Sequence, residues 1–202
     1  EAAFLADLET KGAVVAIETK RASFDQAVDQ TRAAMRDGRP TIYQATLRSS
    51  EWGGFADFLV RVERPSDLGP FSYEVVDTKL RRSPDPKHVM QLALYSDLVA
   101  GIQGTEPERA HLVLGDVDGQ PPAIAVDDGT ERAVGLSDVT AWARRARARF
   151  LGFVAERPET RPEPVAACAL CGWREHCRAV WEAEESLVLV AGIARSQRRK
   201  LE

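Results

Sequence analysis

The chain has 202 residues, 44% of them hydrophobic and 29% charged, with a formal net charge of −4. That supplies apolar material for one sizeable core with room for an appendage, whereas no apolar run approaches the roughly 20 residues that a bilayer span needs. The negative charge argues against wholesale coating of nucleic acid, because phosphate affinity is drawn from Lys and Arg, and the opening EAAFLADLETKG has no signal-peptide character, which suits a cytoplasmic protein.

Residues 2–11 carry Phe4, Leu5 and Leu8 at helical spacing and stop at Gly12, ahead of a short strand in AVVAIE. Ser23 caps a helix that runs to about Met35, and Asp37-Gly38-Arg39-Pro40 is a turn. Three strands follow, TIYQATLR, GFADFLVRVE and FSYEVVDTKL. The breakers between them, Trp52-Gly53-Gly54 and Pro65 through Pro70, suit an antiparallel meander. Pro84 and Pro86 introduce a helix, KHVMQLALYSDLVAGIQG, that is apolar nearly all round and therefore buried. RAHLVLGDV reads as a strand and PAIAV, after the Asp118-Gly119 turn, as a weaker one. Ser137 and Asp138 open a long helix to about Glu156, which the proline-rich RPETRPEPV ends. This order predicts an α/β domain with a mixed central sheet flanked by helices. The expected organisation is a core over 1–157, a linker and cysteine cluster over 158–182, and a C-terminal helical segment over 183–202.

The chemistry concentrates on two neighbouring strands. In VVDTK, Asp77 and Lys79 are two residues apart and share one strand face, and a hairpin would bring Asp57 of GFADF to the same place. Two carboxylates beside an ammonium suit a divalent metal and an activated water, the requirements for hydrolysing a phosphodiester. An acid in an apolar strand ordinarily sits at an edge or against an arginine. Asp77 directly follows Val75 and Val76, however, where an uncompensated carboxylate is expensive to bury. Glu74 falls on the opposite strand face. Gln91 and Tyr95, one helical turn apart, share a helix face and either join the site or satisfy each other. Two basic groups, Lys79-Arg81-Arg82-Lys87-His88 and Arg144-Arg145-Arg147-Arg149, read by themselves as solvated faces. Trp52-Gly53-Gly54 is too short to cradle a phosphate and reads as a bend into the strand. With no nucleophile elbow or cofactor fingerprint in the chain, a small-molecule enzyme is disfavoured.

In order and spacing, G-x-x-D at Gly54–Asp57, D-x-K at Asp77–Lys79 and Q-x-x-x-Y at Gln91–Tyr95 resemble the RecB-type branch of the P-D-(D/E)-x-K nucleases. The resemblance implies a restriction-endonuclease-like core in which Asp57, Asp77 and the backbone carbonyl of Thr78 hold Mg²⁺ or Mn²⁺. Lys79 would orient or help deprotonate the attacking water, and Gln91 and Tyr95 would hold Lys79 or the nucleic-acid backbone, with Gln44 a weaker lining residue. Such nucleases bring a further ligand from an upstream helix, often in a His-Glu pair, and Glu1 stands where the second member would. The implied activity is a deoxyribonuclease, an exonuclease on single strands or ends, in DNA repair, recombination or CRISPR adaptation. The alternative is an inactive nucleic-acid-binding module of the same fold supporting a helicase.

All three cysteines, Cys168, Cys171 and Cys177, lie in CALCGWREHC with C-x2-C-x5-C spacing. Clustered thiols in a reducing compartment favour metal over disulfide. The spacing resembles the C-terminal triplet of iron–sulfur RecB-type nucleases, including CRISPR-associated exonucleases, and so implies a [4Fe–4S] cluster whose fourth cysteine lies upstream of the core. With no fourth cysteine here, the alternatives are a ligand before Glu1 in a larger protein, a Cys₃His zinc site completed by His176, or an empty site. The tail SLVLVAGIARSQRRKLE resembles the opening of a helix-hairpin-helix element of the kind found where such modules precede helicase domains; otherwise it is an amphipathic helix with a basic end.

Overall fold

A computed structural model describes residues 1–80, 85–114 and 133–201, in two compact units, Glu1–Arg149 and Phe150–Glu202. The first unit begins with α1 (Ala2–Lys11), β1 (Val14–Ala16) and α2 (Phe24–Arg36), followed by β2 (Thr41–Arg48), β3 (Gly53–Val62) and β4 (Ser72–Lys79). It continues with α3 (Pro86–Gln103), β5 (Arg109–Leu114), β6 (Ala133–Gly135) and α4 (Ser137–Glu156), whose last turns run into the second unit. The expected cap of α2 forms as a reciprocal box: Ser23 Oγ accepts from Gln26 N at 3.2 Å and Gln26 Oε1 accepts from Ser23 N at 2.8 Å.

The strands form one mixed sheet in the order β1-β2-β3-β4-β5-β6. The expected meander is there, with β2, β3 and β4 antiparallel neighbours. β1 joins β2, and β5 joins β4 across α3, both in parallel. Consecutive residues of β4 serve different cores, as strand alternation requires. Val75 packs with Met35 of α2 and Leu92 and Val99 of α3, while Val76 packs with Phe4 and Leu8 of α1, Phe58 and Val113. Helices therefore cover both faces of the sheet, and α3 is buried or half-buried along most of its length, as its composition foretells.

Several expectations need correction or fall outside the described residues. β6 forms at Ala133–Gly135, which the sequence reading left without a strand; PAIAV, the Asp118-Gly119 turn, Pro84, Arg81 and Arg82 lie outside what is described. His88 is buried, at 4% exposure, so the first basic group is not a solvated face throughout. The second is not either: Arg144 Nη2 lies 2.8 Å from Asp97 of α3 and 2.6 Å from Glu106, and Arg147 also pairs with Asp97 while its guanidinium lies over the Trp52 ring. These arginines fasten α4 to α3, and only Arg145 and Arg149 of that group stay exposed without an ion pair among the described residues.

Gln103 extends the sheet with a side chain. β5 pairs with β4 from Val75 onward. Two residues short of that register, Tyr73 N donates to Gln103 Oε1 at 2.8 Å, while Gln103 Nε2 donates to Tyr73 O at 3.3 Å and Thr105 O at 2.9 Å. Gln103 is fully buried. Gln103→Ala therefore strands a buried N–H and opens a cavity, and should cost about 2–4 kcal/mol in urea unfolding.

In the second unit, 3₁₀ turns at Ala166–Leu170 and Leu187–Leu189 alternate with α5 (Arg174–Ala183) and α6 (Arg195–Leu201). The proline-rich segment is tied down, because Trp181 Nε1 donates to Pro162 O at 2.9 Å and Glu163 pairs with Arg198 at 3.1 Å. Among the described residues, the C-terminal segment forms a 3₁₀ turn and then the short helix α6.

Candidate active site

Asp77 is buried near the C-terminal end of β4, its side chain 1% exposed. Lys79 Nζ lies 2.5 Å from its Oδ2, and among the described residues neither carboxylate oxygen receives a well-directed hydrogen bond. Burial raises the Asp77 carboxyl above the ordinary range; Lys79 opposes that shift and the neighbouring Asp57 charge adds to it. A buried acid that has only Lys79 against it among the described residues, with a second acid beside it, attracts a cation.

Asp57 reaches this acid through strand register. Phe58 pairs with Val76, so one step further places Asp57 opposite Asp77. Its Oδ2 accepts two hydrogen bonds from Thr78, from the backbone N–H at 2.8 Å and the hydroxyl at 2.6 Å. The sequence reading singled out the Thr78 carbonyl; its N–H and hydroxyl, which fix the Asp57 carboxylate, went unforeseen. Strand alternation turns Thr78 away from the face of Asp77 and Lys79, so the D-T-K spacing carried no signal for these bonds.

On its other flank Asp57 faces Gln44, because Tyr43↔Phe58 and Ala45↔Ala56 bracket the two. Gln44 sits at φ 54°, in the left-handed region that costs a glutamine strain. The cross-strand pairs either side of it belong to different cores: Ala45 and Ala56 pack with α2 and α3, Tyr43 and Phe58 with α1. Strict alternation would keep both pairs on one face, so the ribbon rolls over at the acid.

Glu1, at the head of α1, is held against this roll. Its Oε1 accepts from Tyr43 Oη at 2.8 Å and from Gln44 Nε2 at 2.7 Å, and the bond to Glu1 pushes the Tyr43 phenol up, keeping it a neutral donor. Tyr43 was not singled out from sequence. Among the described residues no three His, Cys, Asp or Glu side chains gather closely enough to hold a metal ion. The donors that do meet are two carboxylates with a backbone carbonyl next to them, a set that fits Mg²⁺ or Mn²⁺, which keep several waters of their own.

Gln91 and Tyr95 are brought together with each other: Gln91 Nε2 donates to Tyr95 Oη at 3.2 Å. Tyr95 also presses on β3 at Gly54, where an added Cβ would lie 2.7 Å from its Cε1. Glu74 stays apart, as expected from its strand face, and is buried with its Oε2 2.7 Å from His111 Nε2. Cys168 ends a bond from Val165 N at 3.3 Å, and Cys171 N donates to Cys168 O at 3.3 Å; all three cysteines are free thiols.

A mixed six-stranded sheet flanked by helices, with paired acids and a lysine on adjacent strands, defines a restriction-endonuclease-like α/β domain. The chain belongs to the PD-(D/E)XK nuclease superfamily, whose family profile matches residues 21–178. A search of the curated proteins finds no match. Membership makes this a domain of the metal-dependent nuclease class, with nucleic acid as substrate and Mg²⁺ or Mn²⁺ as the usual ion. Among the described residues no helix is long and apolar enough to cross a membrane.

Proposed function

We propose that the chain is a RecB-type deoxyribonuclease that hydrolyses DNA phosphodiester bonds at single strands or ends, in the cytoplasm. The observation that carries this reading is Asp77: a buried carboxylate with Lys79 2.5 Å from its Oδ2, its Oδ1 without a hydrogen-bond partner among the described residues, and Asp57 across the register. Asp57, Asp77 and the Thr78 carbonyl would hold the divalent ion, with Glu1 as an outer contributor. When bound, the ion polarises a phosphoryl oxygen and lowers the pKa of a coordinated water. Lys79 orients the attacking water and offsets the charge that builds on phosphorus. Thr78 holds the Asp57 carboxylate in one orientation through its two bonds. Gln91 and Tyr95 fix α3 against β3 and offer polar atoms to the strand backbone. Repair, recombination or CRISPR adaptation, with a helicase in the same polypeptide or complex, is the setting this chemistry suits. The test is Mg²⁺- or Mn²⁺-dependent cleavage of end-labelled oligonucleotides, abolished by chelation; uncut DNA in both metals rejects the reading.

Cys168, Cys171 and Cys177 are assigned to a [4Fe–4S] cluster or a zinc ion, for which three thiolates leave one ligand to be supplied. His176, whose ring stacks edge-on with Trp173 at 5.9 Å, is the neighbouring imidazole. Anaerobically purified protein should be brown with absorbance near about 400 nm if the cluster forms. A colourless protein carrying about one zinc points to the Cys₃His site, and a metal-free one rejects both.

A further inference from the structure

Between the strand that carries Asp57 and the start of α2 lies an aromatic platform, which the site described above leaves unused. Phe24, the first residue of α2, and Phe55 of β3 pack edge to face with centroids 5.6 Å apart. The two are 36% and 47% exposed, and Arg48 lies over the Phe24 ring at 5.6 Å while pairing with Asp25. Isolated surface apolar residues need no explanation. An edge-to-face pair with a guanidinium over one ring, its other ring on the strand bearing a proposed metal ligand, is a different object.

The glycines of the Trp52-Gly53-Gly54 bend explain how it is built. A Cβ on Gly53 would lie 2.9 Å from Phe24 Cζ, and one on Gly54 would lie 2.7 Å from Tyr95 Cε1. Adjacent strand residues face opposite sides, so two aromatic rings clasp β3 from either side. Tyr95 is in the buried core, whereas Phe24 and Phe55 remain open to solvent. Side-chain-free backbone at both positions is what permits this close approach.

We propose that Phe24 and Phe55 form a stacking subsite for an unpaired nucleobase close to the phosphate that is cut; this rests on the nuclease reading above. Ring stacking on a base with an arginine alongside is the recurrent chemistry of single-strand binding. A base inside a duplex has both π faces covered, so the platform selects an unpaired strand. Phe55 precedes Asp57 by two residues on β3, about 6.6 Å of strand. The stacked base therefore belongs to a nucleotide within a few positions of the scissile phosphate.

The experiment measures binding in EDTA, using single-stranded and blunt duplex oligonucleotides with 2-aminopurine stepped along the sequence. Wild-type protein should quench the probe at one or two adjacent positions of the single strand. Phe55→Ala and Phe55→Leu should both weaken single-strand binding about tenfold and abolish the quench, with duplex binding unchanged; Phe55→Trp should restore both. Because leucine keeps the apolar packing, loss of fold is separated from loss of the ring, and matched melting curves check it. Wild-type affinity and quenching in Phe55→Leu overturn the subsite while metal-dependent cleavage leaves the nuclease reading standing. Ring-dependent quenching in a protein that cuts nothing upholds the subsite and sinks the nuclease reading instead.

Discussion

Lys79→Ala is expected to lower metal-dependent cleavage by about 10³-fold, and Asp77→Ala by at least as much, since positioned proton transfer and electrostatic stabilisation are each worth about 10²–10⁴. The lysine's ammonium stands 2.5 Å from the buried carboxylate, the one cationic group against it among the described residues. Its removal deprives the developing phosphorane charge of a neighbour. It also leaves Asp77 without the one group that opposes its upward shift. The variant should therefore need more Mn²⁺ for half-maximal rate as well as turning over more slowly. Oligonucleotide binding in EDTA should stay within a factor of about three, because one partly buried lysine contributes little to phosphate contacts spread over a strand. A Lys79→Ala enzyme that retains a tenth or more of the rate, at saturating metal, assigns the chemistry elsewhere. Loss of binding in step with rate makes Lys79 a substrate contact instead.

The parts of this fold that depend on periodicity were legible. The β2–β3–β4 meander, the all-round apolar α3 and the cap at Ser23 each follow from local patterning, and the D-x-K spacing places Asp77 and Lys79 together by alternation alone. What escaped depends on pairing at a distance. Nothing in TIYQATLR announces that Gln44 is twisted to φ 54°, because the twist comes from its place opposite Asp57 and from the bond to Glu1. The His111–Glu74 pair was equally hidden, since each residue finds its partner only when β5 lies parallel to β4. Arginines 144 and 147 look solvated on the α4 helical pattern until Asp97 of α3 comes opposite them. The site reads well from sequence where strand spacing sets it, and poorly where one element holds a side chain of another.

Asp77→Asn should abolish cleavage and at the same time remove a pH-dependent burden on the metal-free fold. The folded carboxyl titrates above its unfolded value, chiefly because it is buried and secondarily because Asp57 is near, with Lys79 offsetting part of the shift. As pH rises, the unfolded chain releases this proton first. The native state thus binds more protons between the two values, and stability falls with pH through that window. The contribution is fully present below the ordinary aspartate value of about 3.9 and is lost once pH passes the raised folded value. Asparagine has no such titration. In EDTA, the stability of Asp77→Asn relative to wild type should therefore climb as pH rises from about 4 toward 7. Divalent metal reverses the order: at about 100 times its dissociation constant it should stabilise wild type by about 2.7 kcal/mol, and the variant far less. A relative stability flat across pH, or an equal Mn²⁺ response in both proteins, would show that Asp77 neither carries the buried charge nor receives the ion. The two readouts together tie a buried acid to the chemistry, because the carboxylate that is costly to bury without metal is the one the ion relieves.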